Sequence, residues 1–214
     1  MIKSLFDNFE YEVNTGTYGS VKIDKINDTY VVFVNNVKWM IFNSKTKQEA
    51  HELKLHYNLA NGHVIATGLG LGIREQLLLS KDDVKSLTVL EISSDLINFH
   101  KTYSKWTSNP KLDIINISAE KYKGTCDVLL LDHYEQQNFI AILNNVINIS
   151  NNIRCNAMWF WPFEDYILRN SKDYNYTLLE SYNDLKNKYS FNKFPNLIES
   201  ELAEYCEPFA NVRE

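Results

Sequence analysis

The chain has 214 residues, 44% of them hydrophobic and 23% charged, with a net charge of -5 and a pI near 5.6. That length suffices for one well-buried core and that composition excludes bulk disorder, while the acidic excess leaves no basic face to neutralise phosphates and disfavours nucleic acid as a substrate. No stretch reaches the roughly 18 apolar residues of a membrane span, the N-terminus lacks a signal-peptide core, and Cys126, Cys155 and Cys206 lack zinc-site spacing, so the expectation is a cytoplasmic protein with reduced thiols and no metal.

From Tyr11 to Phe42 the pattern is β: Val21 and Ile23 alternate with charged residues, Asn27-Asp28 is a turn signal, Tyr30 to Val34 is an apolar strand, and Asn35-Asn36 suits a two-residue hairpin before Val37 to Phe42. A helix follows over about Ser44 to Ala60, with a capping box in Thr46 and Glu49 and with Ala50, Leu53, Tyr57 and Ala60 on one face. Val64 to Ala66 is a strand, Arg74 to Leu79 opens a helix, and Leu87 to Glu91 is the second strand. Ser93-Ser94-Asp95 caps a helix striped by Leu96, Phe99 and Tyr103; Leu112 to Ile117 and Asp127 to Leu131 are strands three and four. Phe139, Ile142, Leu143 and Val146 mark another helix, Cys155 to Trp161 a fifth strand, and Leu178, Tyr182, Leu185 and Tyr189 a helical tail. The fold class expected is α/β, a doubly wound Rossmann-like parallel sheet with a small N-terminal antiparallel β region (1–43), a central domain (44–170) and a helical C-terminal extension (171–214). The antiparallel strands that commonly close such a sheet are not evident.

Between the first strand and its helix runs Thr67-Gly68-Leu69-Gly70-Leu71-Gly72-Ile73. Glycines let a backbone turn tightly and approach a ligand without a Cβ in the way. A dinucleotide fingerprint would put its third glycine at Ile73; it falls at Gly72 instead, which speaks against NAD. About 20 residues further on, Glu91 ends the second strand, where a carboxylate can accept from both ribose hydroxyls. The bland alternatives are a loop that merely packs a helix on a strand and a solvated strand end.

The G-x-G-x-G run followed by this acid resembles the nucleoside-binding loop of class I S-adenosylmethionine-dependent methyltransferases, most nearly the spermidine synthase-like branch, over roughly residues 20 to 165. A β region ahead of the nucleoside fold, Glu52 and His56 in the preceding helix, and Ala66 in place of an acid carry the likeness to that branch. The resemblance implies S-adenosylmethionine, or its decarboxylated form, held by Thr67, Gly68, Leu69, Gly70, Gly72, Glu91, Ile92 and Asp132, with Ser118 and Ala119 flanking adenine. It places the branch's two strand-four aspartates at Asp132 and Glu135, and its polyamine-holding Asp-Glu pair at Thr46 and Lys47. Asp132, His133 or Glu135 would take a proton from an amine acceptor, His133 having the free pKa nearest neutrality. Tyr134 and Trp161 are candidates to face the acceptor, while Trp159 reads as core. His51, His56, His63 and His100 read as ordinary helix or loop residues.

Methyl transfer to a small molecule, an amine among the candidates, is the leading expectation. Aminopropyl transfer is the alternative, and a nucleoside- or partner-binding module without turnover is the third reading. No nucleic acid or membrane partner is expected, and the N-terminal strands could pair across a homodimer.

Overall fold

Four short strands, β1 (Gly16–Tyr18), β2 (Val21–Ile26), β3 (Thr29–Val34) and β4 (Val37–Asn43), form an antiparallel meander in chain order. Asn27 takes the left-handed conformation at the β2–β3 turn (φ 57°), and Asn35 and Asn36 both do so between β3 and β4 (φ 52° and 63°), as a two-residue hairpin requires. Val21, Ile23, Val32 and Phe42 turn inward and are fully buried, whereas Val37, Trp39 and Ile41 of β4 face outward. The sheet docks through Ser20, whose amide and hydroxyl both donate to Asp95 Oδ2 at 2.8 and 2.7 Å. The segment before it docks through Gln76, which exchanges two hydrogen bonds with the Glu12 backbone. The structure is a computed structural model that describes residues 10–43, 53–133 and 138–210.

The rest of the chain alternates α1 (Lys54–Leu59), β5 (Gly62–Thr67), α2 (Ile73–Leu79), β6 (Val84–Glu91), α3 (Ser94–Tyr103), β7 (Leu112–Asn116), β8 (Gly124–Thr125), β9 (Val128–Leu131), α4 (Phe139–Asn152), β10 (Ile153–Arg154) and β11 (Ala157–Phe160). Five of these strands form one sheet in the order β11-β9-β5-β6-β7, and every neighbouring pair is parallel. The chain starts in the middle at β5, winds outward to β7, then returns to the other side of β5 at β9. β5 and β9 are covered on both faces, which is why they read as unbroken apolar runs rather than alternating ones. The expected Ser93 cap is present, its hydroxyl accepting from the Leu96 amide at 3.1 Å.

Two expectations need correction. The single strand expected over Cys155 to Trp161 is only β11, because β10, just before it, leaves the main sheet to pair with β8. Asp127 causes the offset: its carbonyl accepts from both Asn156 and Ala157 and redirects the chain before β11 begins. The helix expected over Ser44 to Ala60 is described only as α1, and its buried face is broader than the expected stripe: Lys54, Leu55 and His56 are buried beside Leu53 and Ala60, while Tyr57 is half-buried; Thr46, Glu49, Ala50 and Glu52 lie outside the described residues.

Past β11 the described chain is helical: α5 (Phe163–Tyr174), α6 (Leu178–Lys188) and α7 (Glu199–Ala210). No strand follows β11 among the described residues. Its flank is closed by an aromatic cluster in which Phe191 and Phe194 stack at 4.5 Å and Phe194 meets the fully buried Trp159 at 5.0 Å. Trp159 is therefore core, as expected, and its indole N–H donates to Glu164 at 2.9 Å.

Candidate functional site

All three glycines of the bend are left-handed, Gly68 at φ 75°, Gly70 at 50° and Gly72 at 74°. Two of them also lack room for a side chain: a Cβ on Gly68 would strike the Asp132 carbonyl, and one on Gly72 the Trp106 ring. At Gly70 the nearest neighbour is the Met40 thioether of β4, 3.4 Å from where a Cβ would stand. The bend is thus shaped by internal packing at its two ends and faces Met40 of the N-terminal sheet at its centre. Cavities of about 260 and 310 Å³ lie elsewhere, one against α2 and Trp106, the other between α4 and the 189–193 segment.

Glu91, at the C-terminal end of β6, lies on the bend. Its Oε2 accepts from the Leu69 amide at 2.8 Å and its Oε1 from the Ser93 amide at 2.6 Å. An ionised carboxylate has about four lone-pair sites, so each oxygen keeps acceptor capacity. Asn116, from the end of β7, donates to the carbonyls of Glu91 and Ile92 at 3.0 and 2.9 Å, fixing the turn that leaves Ile92 75% exposed. Ser118 follows at the end of the same strand and precedes a short 3₁₀ turn in which Ala119 is buried.

At the neighbouring strand ends, β5 and β9 are tied by a chain of side chains. The Asp132 amide donates to Thr67 Oγ1 at 3.1 Å, and the Thr67 hydroxyl pairs with His133 Nδ1 at 2.6 Å. His133 Nε2 pairs with Asn145 Oδ1 at 3.1 Å, and the Asn145 amide group donates in turn to Glu120. With Asn145 accepting at Nε2, that nitrogen carries the ring proton and Nδ1 accepts from Thr67. Burial, with help from Arg74, pushes the His133 pKa down to about 4, away from the neutral value its free side chain would have. The ring is uncharged at neutral pH.

Beneath this chain lies Arg74, from the first turn of α2, with a side chain only 5% exposed. Its Nη2 donates to the carbonyls of Thr67 and Gly68 and to Glu75 Oε1, and its Nη1 stands 3.3 Å from Asp132 Oδ2. Burial opposes its charge, yet Glu75, Asp132 and Glu91 together hold its pKa above the ordinary value. Burial raises the pKa of both Glu75 and Asp132, with Arg74 opposing in each case. On the other side of the bend, His100 Nε2 donates to the Gly70 carbonyl at 2.9 Å.

Thr67, Gly68, Leu69, Gly70, Gly72, Glu91, Ile92, Ser118, Ala119, Asp132, His133 and Trp161 thus all belong to the C-terminal edge of the parallel sheet or the turns leaving it. Tyr134 and Glu135 lie outside the described residues. Sequence reasoning missed Arg74, His100 and Asn116. Arg74 carried a faint signal, a cation beside an acid at the start of an otherwise apolar helix; His100 and Asn116 carried none, because each acts on a backbone carbonyl that only the fold brings within reach. His56 is a helix residue, as expected, but a buried one: it is 1% exposed, its Nδ1 has no hydrogen-bond partner among the described residues, and burial followed by Arg74 lowers its pKa to about 3.

An all-parallel sheet centred on its first strand, with a glycine bend at that strand's end and an acid at the end of the next, defines a doubly wound Rossmann-like fold. No family model and no curated protein sequence matches the chain. Among solved structures it is similar to a spermidine synthase from Thermotoga maritima, with a TM-score of 0.49 and 15% identity over 70% of this chain and 55% of that one. A spermidine synthase in complex with the transition-state analogue AdoDATO gives 0.43 and 19% over 58% and 46%, and Trm5b from Pyrococcus abyssi gives 0.44 and 13% over 63% and 38%. The chain spans about half or less of the length of these structures.

Proposed function

We propose that the protein is a methyltransferase that takes S-adenosylmethionine and acts on a small-molecule acceptor, an amine being the class best suited to the carboxylates at the site. The observation that carries this reading is Glu91 clasped to the glycine bend through the Leu69 amide, which puts an acid with spare acceptor capacity on the bend whose central glycine, Gly70, is the one of the three where a Cβ would meet no overlap. Glu91 would take the ribose hydroxyls, exposed Ile92 one face of adenine, and Ser118-Ala119 its edge; Thr67, Gly68, Leu69, Gly72 and Asp132 form the bend and its floor. The bound group supplies a methyl already activated by a sulfonium. The protein then has mainly to hold the acceptor in line, an effect that reaches about 7–11 kcal/mol in well-oriented systems. Asp132 and Glu135 are the acids to take a proton from the acceptor, His133 orients Thr67 and serves as base only on leaving that hydroxyl, and Tyr134 and Trp161 are the residues assigned to the acceptor.

Methyl transfer is favoured over aminopropyl transfer by the partner of Asp132. A polycationic acceptor seeks unpaired carboxylates, and Asp132 already faces the Arg74 guanidinium at 3.3 Å. Incubating the protein with methyl-labelled S-adenosylmethionine and a pool of small amines and metabolites should give labelled product and S-adenosylhomocysteine. Release of methylthioadenosine from the decarboxylated cofactor would overturn methyl transfer, and bound cofactor without any product would point to a binding module.

A further inference from the structure

A second reactive centre lies at the opposite end of the sheet from the glycine bend. The ladder between β8 and β10 pairs Gly124 with Ile153 and Thr125 with Arg154, and the Cys126 amide donates to the Arg154 carbonyl at 2.9 Å. The next residues in register are Cys126 and Cys155. Paired strands lie about 4.8 Å apart, within the roughly 4.4–6.8 Å that a disulfide spans between Cα atoms. The two thiols act on each other's ionisation. Both are free and only partly buried, whereas Cys206 is buried in α7. The Lys193 ammonium, whose charge acts on Cys155, lines the cavity of about 310 Å³, together with Ser150, Met158 and Asn192. A reagent in that cavity would thus stand beside the cation that acts on Cys155.

We propose that Cys126 and Cys155 form a dithiol that is oxidised by small-molecule disulfides, with Cys155 as the attacking thiol and Cys126 as the resolving one. The Cys155 thiol gives its proton to solvent and its sulfur attacks one sulfur of the reagent; the reagent's S–S bond breaks and one half leaves as a thiolate, which takes up a proton. Cys126 then loses its proton, attacks the Cys155 sulfur of the mixed disulfide and expels the second half. Two electrons pass from the cysteines to the reagent, leaving one internal disulfide and two small thiols. The order follows from the asymmetry of the pair: the neighbouring Cys126 thiol, with Lys193 assisting, pulls the Cys155 pKa down, while the Cys155 thiol and burial push Cys126 up. Attack proceeds through the thiolate, so the lower thiol reacts first. The bond would clamp the turn before β9 to the turn before β11, the two strands that end at Asp132 and Trp161.

The test treats the folded full-length chain with oxidised glutathione and maps its peptides without reduction. The expected map shows a Cys126–Cys155 disulfide with Cys206 unmodified. Cys126→Ser should stop at a glutathione adduct on Cys155, Cys155→Ser should lose both products, and Lys193→Met should slow the Cys155 reaction by roughly threefold or more as its thiolate loses its cation. A cross-link that forms only in denaturant, an adduct on Cys206 in its place, or a Cys126 that reacts as fast in Cys155→Ser as Cys155 does in the unmutated chain would each overturn the proposal. The map of the unmutated chain decides whether or not either serine variant folds.

Discussion

Arg74 is the residue on which the bend depends most. It holds the Thr67 and Gly68 carbonyls from below, faces Asp132, and pairs in turn with Glu75, whose side chain is 1% exposed. Removing one partner of a buried pair leaves the other charged and desolvated, at a cost of about 3–5 kcal/mol. Arg74→Met should therefore lower the urea midpoint strongly, and adding Glu75→Leu should recover a large part of the loss; equal melting of the single variant and the parent would mean that the pair is not buried as described. Glu91→Gln acts on binding as well. A carboxamide cannot accept at both positions as a carboxylate does, and charge-assisted hydrogen bonds are worth about 1.5–3 kcal/mol. Affinity for S-adenosylmethionine by calorimetry should then fall by roughly tenfold or more, with a stability loss of about 1–3 kcal/mol because one of the Leu69 and Ser93 amides loses its acceptor.

Among the elements, α6 shows most directly how local sequence rules carry through to the fold. Thr177 accepts from the Glu180 amide at 3.1 Å and Glu180 accepts from the Thr177 amide at 2.8 Å, a complete capping box. Behind it, Tyr182 and Leu185 bury against the aromatic cluster that covers β11. Loss of the cap hydroxyl in Thr177→Ala should cost about 1 kcal/mol in chemical denaturation. Glu180→Ala on that background should add little, because the two bonds form one unit. Fully additive losses would show the two ends of the box acting independently. The N-terminal meander belongs to the same scale: β4 carries Met40 inward to Gly70 while presenting Val37, Trp39 and Ile41 outward, so one strand both bounds the bend and offers an apolar outer face.

For the molecule as a whole, the buried histidines set the response to acid. Burial lowers the His56 pKa from 6.5 to about 3, so between these values the unfolded chain binds a proton that the folded chain does not. Stability is complete above pH 6.5 and falls as the pH drops toward 3. His133, lowered to about 4, acts in the same direction. Glu75 and Asp132, whose pKa values are raised, act in the opposite direction by taking up protons on folding as the pH falls. His56→Leu isolates the first contribution: its stability in urea should lose about 2 kcal/mol less than the parent's between pH 7 and pH 5. Identical pH profiles for the two proteins would refute a neutral buried His56.

The sequence by itself determined the order of the five main-sheet strands and the helices between them, though not β8 and β10, together with the left-handed asparagine turns, the glycine bend and the acid at position 91, because each rests on periodicity or on the backbone freedom of residues close together in the chain. It also marked Trp159 as core, since a large ring in an apolar strand has few other places to go. Only the tertiary structure decided that Arg74, His100 and Asn116 hold the bend, that Met40 borders it, that His133 is kept neutral between Thr67 and Asn145, and that Cys126 meets Cys155. Those facts depend on burial and on contacts between residues far apart in sequence, and desolvation is a property of the packed surroundings that no local pattern encodes.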